Sequence, residues 1–232
     1  MTVRPRGGIA VLAVGLLAVL LPAAAHHVRP TPYGDHLTVA GPGAVAAPAV
    51  RVRGAAVEAY GPSDGDVRWR YAREGRWPVA VVGARGVAMA VWDDGVVTGT
   101  GGRGDRVRWH RALPGVGRWL RAHGGRGVLR PMGPGILAVV TRDRVTAYRT
   151  SDGDLRWMLP ARGGCAFRPE RAVRHAGALL VAQPCAQGAW TAQVIALDAF
   201  GRIAPHRRPL ANDRPGDRLE RPHAEKALAS PR

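Results

Sequence analysis

Two cysteines are the residues of this chain whose chemistry can be predicted most directly. Cys165 and Cys185 are the only cysteines in 232 residues, and an even number of cysteines in an oxidising compartment favours a disulfide. The bond would close a loop of about 20 residues and stabilise the fold by roughly 3 kcal/mol in the chain-entropy description. A metal-binding or redox pair is the alternative, but the two residues lack the CxxC spacing typical of such pairs. We predict a structural disulfide.

Arginine beside an aromatic ring is the second arrangement that could do chemistry. It recurs at intervals of 42 and 50 residues, in the pairs Arg76–Trp77, Arg118–Trp119 and Phe167–Arg168. A guanidinium group next to a flat ring suits acidic sugars or phosphate polymers, because ion pairing and stacking can act on one ligand. The recurrence of Trp77, Trp119 and Phe167 favours packing between neighbouring blades. The alternative hypothesis is that the three pairs line one face of the fold and bind an anionic ligand there.

Motifs of catalysis and metal binding are weak or missing. The stretch 99–104 fits GxGxxG, but a strand pattern follows it, so no helix N-terminus could hold a pyrophosphate. The eight histidines are dispersed, and the sequence has no HExxH or GxSxG motif. The acids of 64–66 and 152–154 are spaced for turns and not for a calcium loop. We expect no catalytic residue, no metal site and no cofactor.

A repeated segment predicts the architecture that positions these residues. Val57–Trp69 returns as Val145–Trp157, 88 residues later, and a weaker copy ends at Trp109. A fourth copy, 194–203, has Pro205 where the tryptophan would fall. A β-rich unit of 40 to 50 residues is about the size of one four-stranded propeller blade. The repeat therefore predicts a stack of blades.

Short apolar runs separated by Gly, Asp and Pro follow one another from Asp35 onward, with no helical periodicity over three turns. They predict an all-β, β-propeller-like array of about four four-stranded antiparallel blades over 35–210. The blades are expected at 35–75, 76–115, 116–163 and 164–210. A strand at Gly117–His123 is predicted to complete the third blade.

The repeated tryptophans are predicted to be packing residues. Trp69, Trp109 and Trp157 lie at the same point of the outer strand in each unit, where a large ring can bury roughly 150 to 250 Å² between neighbouring blades. In the fourth unit, Pro205 removes both the ring and an amide donor. We therefore expect the outer strand of the fourth unit to be short and the array to remain open there.

The repeat resembles a known family. Ala-Tyr or Ala-Leu, then Asp-Gly or a bare Gly, then Trp four residues after that Gly is similar to the PQQ-like β-propeller repeat of actinobacterial exported or membrane-anchored proteins, related to the outer-membrane assembly lipoprotein. The resemblance covers about 37–205 and implies seven or eight blades in a complete member. With about four blades here, it implies an incomplete ring, an unusually small one, or one completed by a second chain.

The same repeat serves quinone-dependent dehydrogenases and non-catalytic scaffolds, so the resemblance implies a fold more than an activity. A dehydrogenase of this family would need a disulfide between adjacent cysteines and calcium ligands with amide oxygens. This chain has no adjacent cysteines and a single asparagine, Asn212. The scaffold is therefore the favoured interpretation, and the dehydrogenase is the least favoured.

The N-terminus predicts export. Arg4 and Arg6 precede the apolar run Ile9–Leu21, which a small-x-small site follows. Residues 1–25 are predicted to be a signal peptide or, because the uncharged stretch is nearly long enough to span a bilayer, a hydrophobic anchor helix. The body would then lie outside the cytoplasmic membrane, anchored to it or secreted. A linker over 26–34 and a disordered charged tail over 211–232 are predicted to flank the blades.

The strongly basic composition has an ordinary explanation. The formal net charge is +17, and Lys226 is the only lysine among 34 basic residues. Abundant arginine, alanine, glycine, valine and proline fits the codon bias of a G+C-rich genome, and the scattering of the arginines argues against a nucleic-acid partner. The favoured partner is an envelope protein or a second propeller chain. The alternative is an anionic lipid or cell-wall polymer.

Overall fold

The computed structural model describes residues 32–40, 48–133, 135–175, 177–186, 194–204 and 210–211. These residues form four antiparallel β-sheets and one short α-helix. The predicted export segment 1–25, residues 26–31 of the linker, Pro205 and residues 212–232 of the tail lie outside the described residues. None of the described residues belongs to a helix that is long and apolar enough to cross a membrane.

The strands follow the order of the chain. Sheet 1 contains β1 (Asp35–Val39), β2 (Ala49–Arg53), β3 (Ala56–Tyr60) and β4 (Val67–Arg73). Sheet 2 contains β5 (Pro78–Ala84), β6 (Val87–Trp92), β7 (Val96–Gly101) and β8 (Val107–Ala112). Sheet 3 contains β9 (Leu129–Met132), β10 (Ile136–Val140), β11 (Arg144–Arg149) and β12 (Leu155–Pro160), with β17 (Leu210–Ala211) beside β12. Sheet 4 contains β13 (Arg168–His175), β14 (Ala178–Ala182), β15 (Val194–Leu197) and β16 (Ile203–Ala204).

Sheets 2, 3 and 4 are meanders, whereas sheet 1 has the order β1-β4-β3-β2. The tryptophans lie on β4, β8 and β12, so β2, β3 and β4 correspond to the last three strands of the later sheets. The N-terminal β1 pairs with β4 from Asp35 to Val39, on the side of sheet 1 opposite β2. The predicted all-β array of four antiparallel sheets is confirmed; three sheets have four strands, and β17 adds a fifth strand to sheet 3.

The sheets converge at one edge, as propeller blades do. The first strand of sheet 2, β5, contacts β2 of sheet 1 and β9 of sheet 3. Arg130 of β9 in turn donates a hydrogen bond to the carbonyl of Pro169 on β13, at 3.2 Å. The tryptophan-bearing strands lie toward the opposite edge of their sheets. The four sheets are therefore arranged around a common inner edge.

Three apolar cores join the sheets in sequence, one at each junction between successive sheets. Residues of β6 alternate between two of them. Ala88 and Ala90 enter the core with sheet 1, and Met89 and Val91 enter the core with sheet 3. A strand buried on both faces loses the apolar–polar alternation of an exposed sheet, and all six residues of β6 are buried. Among the described residues, no such core joins sheet 4 to sheet 1.

The predicted strand at Gly117–His123 is wrong, because these residues form the helix α1. Val116 and Leu120, four positions apart, are both buried in the core between sheets 2 and 3. That spacing places them on one side of a helix. The helix has only seven residues, too few for the three-turn periodicity on which a sequence prediction depends. The first strand of sheet 3 is β9 instead.

Sheet 4 contains the predicted disulfide, which is confirmed: Cys165 is bonded to Cys185. The two residues also form an antiparallel bridge that continues the pairing of β13 with β14. The disulfide therefore ties the segment that enters β13 to the segment that leaves β14. The last strand, β16, is described for only two residues.

Candidate functional site

The repeated tryptophans form the same contact at all three junctions. Trp69, Trp109 and Trp157 are 0, 4 and 2% exposed. The indole Nε1 of each donates a hydrogen bond to a backbone carbonyl in the last turn of the following sheet. The acceptors are Gly102, Thr150 and Ala199, at 2.9, 3.0 and 3.0 Å. Each ring thus combines apolar burial with a satisfied polar group.

A glycine in the receiving turn makes room for the ring. Gly153 lies in the β11–β12 turn with φ of 71°, and a Cβ built there would lie 2.6 Å from Trp109. Gly65 lies in the corresponding turn of sheet 1 with φ of 76°, and a Cβ there would meet nothing within 4 Å. The junctions are therefore directional: each tryptophan contacts the turn of the sheet that follows it.

A polar cluster that the sequence analysis did not predict joins sheets 1 and 2. The Tyr71 hydroxyl donates to Oδ1 of Asp35 at 2.6 Å, and Oδ2 of Asp35 lies 2.8 Å from Nε2 of His110. The ring of Tyr33 stacks on His110, with centroids 4.2 Å apart and an interplanar angle of 8°. Tyr33 directly precedes β1, Asp35 is the first residue of β1, and the other two residues lie on β4 and β8. Tyr71 and His110 lie far from Asp35 in the sequence, and no repeat links the four residues, so nothing in the sequence signals the cluster.

Burial determines the protonation of this cluster. It raises the pKa of Tyr71 far above its usual range, and the hydrogen bond to Asp35 acts in the same direction. It also lowers the pKa of His110, although the Asp35 carboxylate opposes the shift. At neutral pH the phenol is protonated and the imidazole is uncharged. The three groups bond to one another, and the arrangement fastens β1 to β4 and β8.

The first predicted arginine–aromatic pair lies against two acids. Trp77 is 57% exposed, and its amide donates to Oδ1 of Asp93 at 3.1 Å. Asp94 accepts ion pairs from Arg73 at 3.0 Å and from Arg76 at 3.5 Å. These two arginines lower the pKa of Asp94 against the opposing effect of burial. The charge of Arg76 is therefore partly neutralised within the protein.

The second pair, Arg118–Trp119, lies on α1, beside the β6–β7 turn that contains Asp93 and Asp94. Arg118 is exposed, and Trp119 stacks on His123 with centroids 5.3 Å apart. Arg121 of the same helix donates to the carbonyl of Asp93 at 3.0 Å. The β6–β7 turn thus brings the first pair and α1 to one end of the blades.

The third pair does not present its ring to solvent. Phe167 is 1% exposed and packs in the core between sheets 3 and 4, whereas Arg168 is exposed. The Phe167 ring therefore packs between two blades, as the recurrence of the aromatic residues favoured, and does not face solvent beside Arg168. Its apolar ring gains more from burial between two sheets than from a position in water.

The outer face of sheet 1, on the side away from sheet 2, is polar. Glu58 lies between Arg51 and Arg70 on the neighbouring strands, at 3.0 and 3.3 Å, and its side chain is 5% exposed. The Arg51 guanidinium also lies 4.4 Å from the centre of the Tyr60 ring. The charged groups Arg51, Glu58 and Arg70 on this face are therefore paired with one another.

The outer face of sheet 4, on the side away from sheet 3, exposes apolar side chains beside an arginine. Its cross-strand rows include Val173–Leu180–Ala196 and Arg168–Ala182–Val194, and Arg168 is exposed. Val173 is 56% and Val194 is 52% exposed. The alternating residues Leu179 and Val181 point the other way, into the core with sheet 3. The two ends of the stack are therefore chemically different.

The described residues contain no group of His, Cys, Asp and Glu side chains that could hold a metal ion. A half-open cavity of about 380 Å³ lies between sheets 1 and 2. Small residues and backbone line most of it, and Arg85 is the charged residue at its wall. The cavity supplies no constellation of reactive side chains.

The sequence matches no established protein family and no curated protein. The fold is similar to the crystal structure of BamB from Moraxella catarrhalis, with a TM-score of 0.50 and 15% sequence identity. The likeness covers 67% of this chain and 45% of BamB, so the chain spans less than half the length of that protein. BamB is a PQQ-like β-propeller. The likeness therefore shows the fold: the four antiparallel sheets are blades of the BamB-like propeller type.

Proposed function

We propose that this chain is a non-catalytic protein-interaction module that works outside the cytoplasm. The outer face of sheet 4 carries the proposal, because two half-exposed valines, Val173 and Val194, lie on it and no described sheet covers them. Contiguous apolar surface on a soluble domain generally marks an interaction site. The similarity to a propeller fold that includes non-catalytic members is consistent with this role.

The polar cluster of sheets 1 and 2 also supports a non-catalytic role. The Asp35 carboxylate accepts a hydrogen bond from the Tyr71 hydroxyl, and its other oxygen lies within hydrogen-bond distance of Nε2 of His110. A general base or nucleophile must reach a substrate atom. These groups instead bind one another in a junction between blades. Turnover of alcohols or sugars by the purified protein with added quinone and Ca²⁺ would contradict the proposal.

The disulfide supports an oxidising compartment, since structural disulfides persist mainly outside the cytosol. We therefore expect mass spectrometry of cell fractions to find the protein in the envelope or the medium. Its N-terminus should lie near His26 if the export segment is cleaved, or retain that segment if it is an anchor. Full-length protein with free thiols in the soluble cytosol would contradict this localisation.

Binding of an anionic polymer or lipid is the second candidate function. It is favoured by Trp77, which is half-exposed beside Arg76 and near the arginines of α1. Because Asp94 already pairs with Arg76, a ligand would have to compete with that carboxylate. Binding to an anionic polymer should therefore weaken strongly with added salt. Binding that is unchanged between low and high ionic strength would rule out a charge-led mechanism.

A further inference from the structure

Trp77 presents its ring to solvent, unlike the tryptophans that pack inside the blades. The Trp77 side chain is 57% exposed, whereas Trp69, Trp92 and Trp109 are buried. An exposed ring of this size is uncommon, because burial between two sheets removes more apolar surface from water. The position of Trp77 is therefore not explained by packing.

A single residue, Asp93, holds Trp77 beside α1. The Trp77 amide donates to Oδ1 of Asp93 at 3.1 Å, and the Asp93 amide donates to the Trp77 carbonyl at 2.9 Å. The Asp93 carbonyl in turn accepts a hydrogen bond from Nη1 of Arg121 at 3.0 Å. A residue whose backbone is already held in place loses less conformational entropy when a ligand stacks on its ring.

Positive charge is in excess around this ring. The loop after α1 also lies on β5, because a Cβ built at Gly125 would fall 2.5 Å from the Val79 carbonyl oxygen. The described segments that meet here are therefore 73–77, 93–95 and 113–128. One arginine is buried against Asp94, and the other four are exposed, whereas Glu74 is the exposed acid of these segments. The arginines are Arg73, Arg76, Arg118, Arg121 and Arg126, and the acids are Glu74, Asp93 and Asp94.

The site lies at the ends of the strands and not on a sheet face. Sheet 2 packs on sheet 1 through one face and on sheet 3 through the other. A blade that packed on the outer face of sheet 1 or sheet 4 would leave this end of sheet 2 uncovered. The site is therefore the same for any number of blades.

A sugar polymer with acidic groups suits this site better than a bilayer does. Helix α1 turns Leu120 into the core, so it has no apolar face for the acyl chains of a lipid. Anionic headgroups on a flat surface would also lie against the exposed Glu74. A sugar polymer needs only one flat ring to stack on and cations beside it, which Trp77 and the exposed arginines supply.

We infer that Trp77 and the exposed arginines of α1 bind an acidic sugar polymer, with a sugar ring on the indole and carboxylate groups on Arg118 and Arg121. The inference rests on the second candidate function and deepens it, because it names the residues and the class of polymer. Arg76 contributes less, since Asp94 lies 3.5 Å from it and competes with the ligand.

Binding of four probes to the purified full chain tests the class of polymer. Polygalacturonate carries acidic groups on sugar rings, poly-glutamate of matched charge carries them without sugar rings, and dextran has sugar rings without acidic groups. Vesicles of phosphatidylglycerol present an anionic lipid surface. We expect polygalacturonate to bind about fivefold more tightly than poly-glutamate, and dextran and vesicles not to bind. Equal affinities for polygalacturonate and poly-glutamate would overturn the inference.

Replacement of the ring tests the stacking contact. W77A should remove the preference for polygalacturonate and change the affinity for poly-glutamate by less than about twofold. F200A is the matched control, because Phe200 is also exposed and has an arginine, Arg202, 5.2 Å from its ring. F200A should change neither affinity. A preference that persists in W77A would overturn the inference.

Replacement of single charges tests the arginines. R118Q should weaken the binding of polygalacturonate severalfold, whereas R103Q removes an exposed charge from the β7–β8 turn, at the opposite end of sheet 2, and should have little effect. E74Q should strengthen binding, because it removes the exposed acid beside the ring. These side chains are exposed, so the thermal midpoint should be unchanged. Equal losses in R118Q and R103Q would show that net charge alone attracts the polymer and would overturn the inference.

The probes also separate failure of this inference from failure of the candidate functions. Binding of poly-glutamate alone would overturn the sugar polymer and leave a protein-interaction module. Binding of vesicles alone would overturn the sugar polymer and leave the lipid as the anionic ligand. Binding of no probe would overturn both the inference and the second candidate function, and would leave the outer face of sheet 4 as the interaction surface.

Discussion

At the scale of residues, the indole groups explain how the blades hold together. Each ring is buried in an apolar core, and its one polar atom reaches a carbonyl of the next sheet. Losing the ring therefore removes buried area and leaves a carbonyl without its donor. The residues that surround the ring cannot move to fill the space, because they belong to two paired sheets.

Replacement of Trp109 measures these two contributions. W109A should lower the free energy of unfolding by about 3 to 5 kcal/mol, the usual cost of deleting a large buried ring. W109F keeps an aromatic ring but loses the hydrogen bond to Thr150. We therefore expect a smaller loss of stability than in W109A, about 1 to 3 kcal/mol. Urea denaturation measures both. W77A is the control, because Trp77 is 57% exposed and its loss should cost about 0.5 kcal/mol or less. Equal costs for W77A and W109A would contradict the assignment.

The shifted pKa of His110 predicts a loss of stability in acid. Burial lowers this pKa, so the unfolded chain takes up the proton at a higher pH than the folded chain. Stability is therefore full above about pH 6.5, the ordinary value, and declines as the pH falls from there toward the lower folded value. Thermal midpoints between pH 7.5 and 5 should show this decline. In H110Q that part of the decline should disappear; an unchanged slope would point to other groups.

Residue chemistry was only partly predictable from the sequence. The spacing of 88 residues between Val57–Trp69 and Val145–Trp157 singled out Trp69 and Trp157, and both are buried. The partners of Tyr71 could not be identified from the sequence, because Asp35 is 36 positions away and His110 is 39 positions away. Nothing local links them, and only the pairing of β1 with β4 and the junction with sheet 2 bring them together.

At the scale of elements, the turn that receives each ring is as specific as the ring itself. The β3–β4 and β11–β12 turns share the sequence Ser-Asp-Gly-Asp, and in both the first Asp accepts the amide of the second at 3.0 Å. Only the second turn lies under a tryptophan. The pair is a natural control for the cost of contact with the ring.

G153A and G65A compare the two turns. Both glycines have a positive φ, so alanine should cost roughly 1 to 2 kcal/mol at either position. At Gly153 the new Cβ would also collide with Trp109, and we expect G153A to cost at least about 1 kcal/mol more, in the range of overpacking. Chemical denaturation of the two variants gives the difference directly. Equal costs would show that the ring moves aside without penalty.

Elements were predictable where their pattern was long enough. Short apolar runs separated by turns with Gly or Asp marked the hairpins of sheets 2 and 3. The helix α1 was missed because only one of its seven residues, Leu120, is buried, which leaves no helical periodicity in the sequence. The position of β1 was also invisible, since a strand that pairs with β4 rather than with β2 leaves no local signal.

At the scale of the whole molecule, each sheet is stabilised mainly by its neighbours. Among the described residues, sheets 2 and 3 have a junction on both faces, whereas sheets 1 and 4 have one. In a linear array, stability is approximately the sum of the unit stabilities and the nearest-neighbour interfaces. The ends should therefore open at lower free energy than the middle.

Hydrogen exchange tests this gradient. We expect the slowest amide exchange in β6 and β10 and faster exchange in β13 and β15, measured by mass spectrometry on the native protein. Reduction of the Cys165–Cys185 bond should accelerate exchange in β13 and β14 and leave β6 unchanged. A single exchange rate across all four sheets would show instead that the protein opens as one cooperative unit.

The directional tryptophan contacts also set an order of events during synthesis. The carbonyls that accept the indole hydrogen bonds of Trp69, Trp109 and Trp157 lie 33, 41 and 42 residues further along the chain. They are therefore synthesised after the rings that they bind. Each newly made blade therefore leaves an exposed indole until the next one has emerged. A nascent chain carries one such unfinished surface at a time. A pause of translation within a blade would prolong that exposure, whereas a pause soon after a receiving turn would leave every earlier ring already covered.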